Sequence, residues 1–545
     1  MAVCMKKRCF ISVWLFLVLA GTIGAAPVSR RLARIYFAGA AQLAADTNTA
    51  KFKEIGALPA TLELRQQILA KLARLPNDLF NDRLDTAHID RSALFRPLWE
   101  DAWNAEWLVE WQQHATNQFE WTLAIRLNGE RSQLWSTNLW QIMTVWHAGA
   151  LQSCQNGDAA GWEIKKHHAP NYFRFLRSGD WCIIGLGQDQ LPTQMQMLEQ
   201  VRKSGKPYAD LGKNWLEVDA DLERLANWFR SRGFFAWAPA HLPQAHLTSF
   251  NKDENVRSQL LLRYATAQSW PTERWQIPTP ILRDPLASFT AVQGARSWLA
   301  TCQWLQPLGI ASWPNQLYAW SYQGLPFQSF AAAPIADSTN VVNTLAGTLP
   351  AFLTAYWPAA TMGEIKPSTN RLELSWQGLP FVIPFLRPVK STGGEFLVAG
   401  FFPPMPSTNP PPADLLLQVT SRTNLLYYGW EITQERLDHW RAMSQLYSIL
   451  TTPTGKTARP PATATPRLVT DPWLMAVAPK LGNTVTEIAV TSPNELTLTR
   501  KSDLGFNGLE IVLLARWFEN PGFPLFGYKL PTHATNNPPH PPAQP

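Results

Sequence analysis

The sequence predicts an α+β fold: two related modules of antiparallel sheet, built from hairpins, with packed helices. Three observations predict it. Strand-like segments come in pairs joined by turn residues instead of alternating singly with helices. GDWCIIGL from Gly179 is echoed by GEFLVAGF from Gly394, and ERLANW from Glu223 by ERLDHW from Glu435. The two echoes lie 215 and 212 residues apart, nearly one offset, which is the mark of a duplicated module.

In the first module ARIYFAG reads as a strand, and Gln42 to Ala57 and Leu62 to Leu75 read as helices. Leu98 to Trp111 reads as a tryptophan-rich helix, FEWTLAIRLNGERSQLW as a hairpin, and the following segment as a helix to Ala150. Strands in YFRFLRSGDWCIIGLG and NWLEVD, with helices from Gln190 to Ser204 and from Asp221 to Arg232, complete it. His246 to Tyr264 supplies a hairpin joining the halves.

The second module opens at Leu286, where LASFTAVQG then ARSWLATCQWL repeats the strand-then-helix start. SYQGLPFQSFAAAP from Ser321 and SWQGLPFVIPFLRP from Ser375 each set an apolar-rich segment on either side of Gln-Gly-Leu-Pro, as a hairpin turn requires. Gly324 and Gly378 are therefore turn residues, not phosphate cradles. A helix from Thr433 to Leu450 follows; NTVTEIAVTSPNELTLTRKS then reads as a hairpin and Leu504 to Glu519 as a helix. FPPMPSTNPPPAD, PTGKTARPPATATP and the tail PTHATNNPPHPPAQP are rich in proline, which donates no backbone hydrogen bond, and read as unstructured. The expected organisation is a leader (1–26), first module (27–245), connecting hairpin (246–285), second module (286–452), Pro/Thr-rich linker (453–466), C-terminal hairpin and helix (467–530) and disordered tail (531–545).

Lys6, Lys7 and Arg8 precede the apolar run CFISVWLFLVLA and the small residues GTIGAA, the order of a secretory signal. Export to the periplasm or the medium is expected, with the cut near Gly24 or Ala25 because Pro27 is a poor residue to follow one. Left uncut, Cys9 to Ala26 approaches the shortest helix that spans a bilayer, and a membrane role is expected only in that case. Leu19-Ala20-Gly21-Thr22 resembles a lipoprotein box with Thr22 where the lipid-bearing cysteine would stand, which argues against lipid anchoring.

Losing Lys6, Lys7 and Arg8 lowers the formal charge from +7 to +4, and the rest of the chain has no dense basic run, so nucleic acid is discarded as a partner. Cys154, Cys182 and Cys302 remain, too few for a disulfide framework though enough for one bridge. SGDWCIIGLGQDQLP, LRDPLASFTAVQG, PNQLYAWSYQGLPFQSFAAAP and KLGNTVTEIAVTSPNELTLTRKSDLGFNGLE resemble a family of exported, tandemly duplicated bacterial proteins of unknown function. The likeness runs from about Ala33 to Leu530. It implies localisation and architecture, and no activity or site residue.

The candidate site is LWEDAWNAEWLVEW. On one helix Trp99, Trp103, Trp107 and Trp111 advance roughly 40° per step, a slanting stripe, with Glu106 and Glu110 beside it. Rings that stack on sugar CH faces beside carboxylates that accept hydroxyls would suit a saccharide; the same mixture suits a seam between domains, the commoner use of such a stripe. Glu106 and Glu110, one helical turn apart, would raise one another's pKa, but glycosidase carboxylates must flank the scissile bond, and two acids on one helix do not. No catalytic residue is therefore expected.

His167-His168 has no acid or cysteine at ligand spacing, so no metal is expected. GLGQD from Gly185 lacks the third glycine of a dinucleotide site, and no cofactor is expected. Cys182 lies in an apolar strand as an inert thiol. With no nucleophile or metalloprotease motif in the mature chain, the expectation is an exported, non-catalytic binding or assembly protein of the bacterial cell envelope, its partner an unknown envelope protein or glycan. The alternative is a saccharide-binding protein or glycoside hydrolase using the Trp/Glu face.

Overall fold

The computed structural model describes residues 31–80, 91–115, 118–146, 151–165, 172–187, 190–208, 212–230, 241–324, 327–356, 363–368, 373–379, 381–391, 394–403, 407–451, 470–520 and 523–524. The leader, the 453–466 linker, His167-His168 and the tail lie outside them.

The first ten strands are β1 (Arg31–Phe37), β2 (Trp107–Ala115), β3 (Gln118–Arg126), β4 (Gln152–Asn156), β5 (Ala159–Lys165), β6 (Tyr172–Ser178), β7 (Trp181–Gly187), β8 (Leu216–Asp221), β9 (Gln244–Lys252) and β10 (Asn255–Arg263). Helices α1 (Ala40–Ala45), α2 (Ala50–Ala57), α3 (Pro59–Phe80) and α4 (Ser92–Asn104) separate β1 from β2. Then α5 (Gly129–Trp146) follows β3, α6 (Pro192–Ser204) follows β7, and α7 (Leu222–Arg230) follows β8.

The next ten are β11 (Leu286–Gln293), β12 (Gln316–Tyr322), β13 (Ser329–Pro334), β14 (Glu364–Pro367), β15 (Leu374–Gln377), β16 (Phe385–Ser391), β17 (Gly394–Gly400), β18 (Leu425–Ile432), β19 (Asn483–Ser492) and β20 (Glu495–Ser502). Here α8 (Ala295–Thr301) follows β11, α9 (Ser338–Tyr356) follows β13 and α10 (Ala413–Thr420) follows β17. Helices α11 (Thr433–Thr451) and α12 (Thr470–Val477) lie between β18 and β19, and α13 (Gly508–Glu519) follows β20.

All strand pairs are antiparallel and form one sheet, as the hairpin pattern requires of an α+β fold. In the first half the order is β4-β5-β6-β7-β3-β2-β1-β8-β9-β10. In the second it is β14-β15-β16-β17-β13-β12-β11-β18-β19-β20. Every strand of the second half thus holds the place of the strand ten before it. The halves meet where β10 pairs with β20, Gln259 opposite Thr499 at the middle. Hairpin β9–β10 continues the sheet from β8 as hairpin β19–β20 does from β18.

Residues directly opposite on paired strands share a face, and the next residue along lies on the other. On the first face Tyr36, Leu108, Ala124 and Ile183 meet Met197 and Leu198 of α6. In the second half Ala291, Tyr318, Ala332 and Val398 meet Leu415 and Val419 of α10 on the same face. On the second face α3, α4 and α5 pack on Ile125, Cys182 and Ile184. There Ile55 of α2 also joins Leu437, Leu474 and Ile511 of α11, α12 and α13, which ties the two halves together.

Two sequence expectations fail for local reasons. LWEDAWNAEWLVEW is not one helix: α4 ends at Asn104, Ala105 is extended, and β2 begins at Trp107. The Trp107 indole N–H donates to the Ala102 carbonyl at 2.7 Å, and the Asn104 amide donates to the Glu100 carbonyl at 2.9 Å. The first closes a carbonyl that the helix end leaves without an intrahelical partner. Beyond them β1 offers Tyr36 and Ile35 as pairing partners for Leu108 and Val109. FEWTLAIRLNGERSQLW is not a hairpin either: Asn128 Oδ1 accepts the Arg131 N–H at 2.8 Å, so Asn-Gly starts α5 as a helix cap instead of turning two strands. The two QGLPF segments do join paired strands, and Gly324 and Gly378 have φ of 84° and 86°, conformations that favour glycine.

Candidate functional site

The break at Ala105 scatters the sequence-predicted site. Trp99 and Trp103 stay exposed on α4, whereas Trp107 and Trp111 enter β2, so no four-ring stripe exists. Trp111 meets Trp228 of α7 edge-on at 4.5 Å, and Trp107 lies 5.7 Å from Phe37, both as packing on the second face. Glu106 and Glu110 lie about 13 Å apart along an extended segment, on the opposite face from those rings.

Each carboxylate has protein partners. Glu106 accepts the hydroxyls of Tyr36, at 3.1 Å, and of Tyr208, with Arg126 at 3.7 Å. Burial and the Glu106 contact push the Tyr208 phenol well above its ordinary range, so it stays a donor. Glu110 pairs with Arg31 at 3.6 Å and Arg34 at 3.7 Å. Both carboxylates are thus held by neighbouring side chains, and their separation does not let them flank a single bond.

Glu110 does, however, begin a row that the sequence did not single out. Across β2, β1, β8, β9 and β10 the residues directly opposite are Glu110, Arg34, Asp219, His246 and Leu261. Alternation in LEVDAD sends Glu217, Asp219 and Asp221 to the first face and Leu216, Val218 and Ala220 to the second. In QAHLTS it sends Gln244, His246 and Thr248 to the first face likewise. The His246 Nδ1 atom lies 2.7 Å from Asp219 Oδ1.

Glu217, Asp219 and His246 each offer a ligand atom within 4.8 Å of the others. A depression of about 420 Å³ adjoins them, lined by Arg31, Asp219, Asp221, Gln244, His246 and Arg263. Among the described residues these three are the group that could hold a metal. The alternating acids were visible in the sequence, but nothing in it says that β8 and β9 are neighbours across 27 residues of chain.

Around this row the first face is open. Gln244, Gln259, Arg263, Thr499 and Lys501 are exposed there, and the described helices on that face, α6 and α10, lie over the flanking strands. Opposite charges are spaced across it, with Arg263 on Glu495 at 3.1 Å and Arg422 on Glu487 at 2.7 Å. Cys182 is fully buried and its thiol is pushed up to about 12 by burial, while Cys154 and Cys302 are also unbridged. Among the described residues no helix is long and apolar enough to cross a membrane. No family model, curated protein or solved structure matches the chain.

Proposed function

We propose that the protein is an exported, non-catalytic binding or assembly component of the bacterial cell envelope, made of two related modules, whose partner docks on the open first face where the modules join. The observation that carries this reading is the asymmetry of cover. Helices pack along the second face in both halves, whereas on the first face α6 and α10 leave β8, β9, β10 and β20 with alternating polar residues in solvent. The basic-then-apolar start at Lys6 supports export, and the repeated strand order with the echoes in β7/β17 and α7/α11 supports duplication.

The partner is a protein surface of mixed charge. Sugar stacking needs open rings, and among the described residues the exposed Trp99, Trp103 and Trp140 stand on α4 and α5 and the exposed Trp304 lies against Phe352 of α9, all behind the sheet. A photo-crosslinking residue at Gln259 or Thr499, in the producing cell, is expected to trap one discrete protein adduct. The same residue at Leu62 or Met475, exposed on α3 and α12, is expected to trap none. Adducts at Leu62 and Met475 with none at Gln259 and Thr499 would overturn the reading.

A further inference from the structure

We infer that Glu217, Asp219 and His246 form a binding site for a divalent transition-metal cation, with zinc as the best fit. The three ligands come from two neighbouring strands in fixed register. Asp219 stands directly opposite His246, and Glu217 is the next residue of β8 on the same face. One atom of each lies within 4.8 Å of the others, a spacing that a shared cation closes with small side-chain rotations. The His246 Nδ1 atom and Asp219 Oδ1 face each other at 2.7 Å, so two of the three ligands already converge on one point. A cation bound between them takes a lone pair from the imidazole nitrogen and one from the carboxylate, and any proton lying between the two atoms passes to solvent.

The donor set decides the metal. Two carboxylates and one imidazole suit zinc and its neighbours, whereas magnesium and calcium prefer all-oxygen shells. Three protein ligands leave a fourth tetrahedral position, and His246 and Asp219 are both partly exposed, so that position faces solvent. The local charge agrees: the Glu217 and Asp219 carboxylates gather here, while the neighbouring Arg31 and Arg34 are engaged by Glu110 and Asp221 is paired with Arg224 at 3.4 Å. The site shares its face with the proposed docking surface but rests on its own ligand geometry, so either can fail without the other.

Isothermal titration of the full chain with zinc chloride tests it, with magnesium chloride in parallel. The expected result is saturable zinc binding that magnesium does not reproduce. His246→Ala is expected to weaken it by at least about tenfold, as is Asp219→Asn. His241→Ala, removing an exposed histidine that faces Glu223 at 3.9 Å, is expected to leave it unchanged. Far-UV circular dichroism of His246→Gln, a second variant without the ligand, confirms that loss of binding is not loss of fold. Zinc isotherms that superimpose for the parent and both His246 variants would overturn the site, as would the absence of saturable zinc binding in the parent.

Discussion

Strands β8 and β18 hold the same place in the two halves, yet their first-face residues have opposite fates. Glu217 stands opposite Tyr36 of β1, and Tyr428 stands opposite Ala291 of β11. Tyr428 is fully buried beneath α10, its hydroxyl donating to Gln418 of that helix, and Trp430 packs beside it. Among the described residues no helix lies over Glu217 and Asp219, which keep a polar surface. The same backbone position thus serves as core or as open face according to whether the side chain gives a helix something apolar to cover. The open face is a property of the first half that continues across the seam, not of the strand order itself.

On the second face the contrast reverses. In the first half Ser258 of β10 pairs hydroxyls with Ser249 of β9 at 3.0 Å. In the second half Arg500 of β20 is buried under α13 and held in a two-pronged pair by Glu510, at 2.6 and 2.9 Å, and Glu510 also caps the helix. Removing one partner of such a pair strands the other charge. Glu510→Ala is therefore expected to lower unfolding free energy by about 3–5 kcal/mol in guanidinium denaturation. Glu217→Ala, on the open face, should stay within about 0.5 kcal/mol. Equal effects would erase the distinction between the two polar regions.

A smaller difference separates ERLANW of α7 from ERLDHW of α11, where Asn227 corresponds to His439. His439 is buried, and desolvation followed by the nearby Arg436 lowers its pKa from 6.5 to about 4. The folded protein keeps this imidazole neutral while the unfolded chain takes up a proton. Its contribution is therefore complete above about pH 6.5 and is lost as pH falls toward 4, by about 3 kcal/mol. Urea midpoints between pH 7 and pH 4.5 are expected to fall less steeply in His439→Leu than in the parent protein; parallel slopes would show that His439 does not titrate this way.

Much of the fold was legible because hairpins announce themselves locally. Gly324, Gly378 and the paired apolar runs need only their own neighbours to be read. LWEDAWNAEWLVEW misled because rings four apart satisfy a helical stripe on either side of a break that the Trp107 indole closes locally on the Ala102 carbonyl and that pairing with β1 and the Tyr36 and Tyr208 hydroxyls on Glu106 hold from a distance. The row from Glu110 to His246 depends on strand order, which long connections such as α1–α4 hide. His246 was legible as a strand residue but not as the neighbour of Asp219.

The union of the halves through β10 and β20, on a face left open, is tested most directly by a bridge across it. Gln259 and Thr499 are both exposed and directly opposite, which places their Cβ atoms about 4.5–5.5 Å apart, close enough for small strand adjustments to admit a disulfide. The double variant Gln259→Cys/Thr499→Cys, oxidised under mild conditions and digested without reductant, is expected to give the intrachain 259–499 linkage in the monomer. Free thiols at both positions, or bridges only between chains, would contradict it.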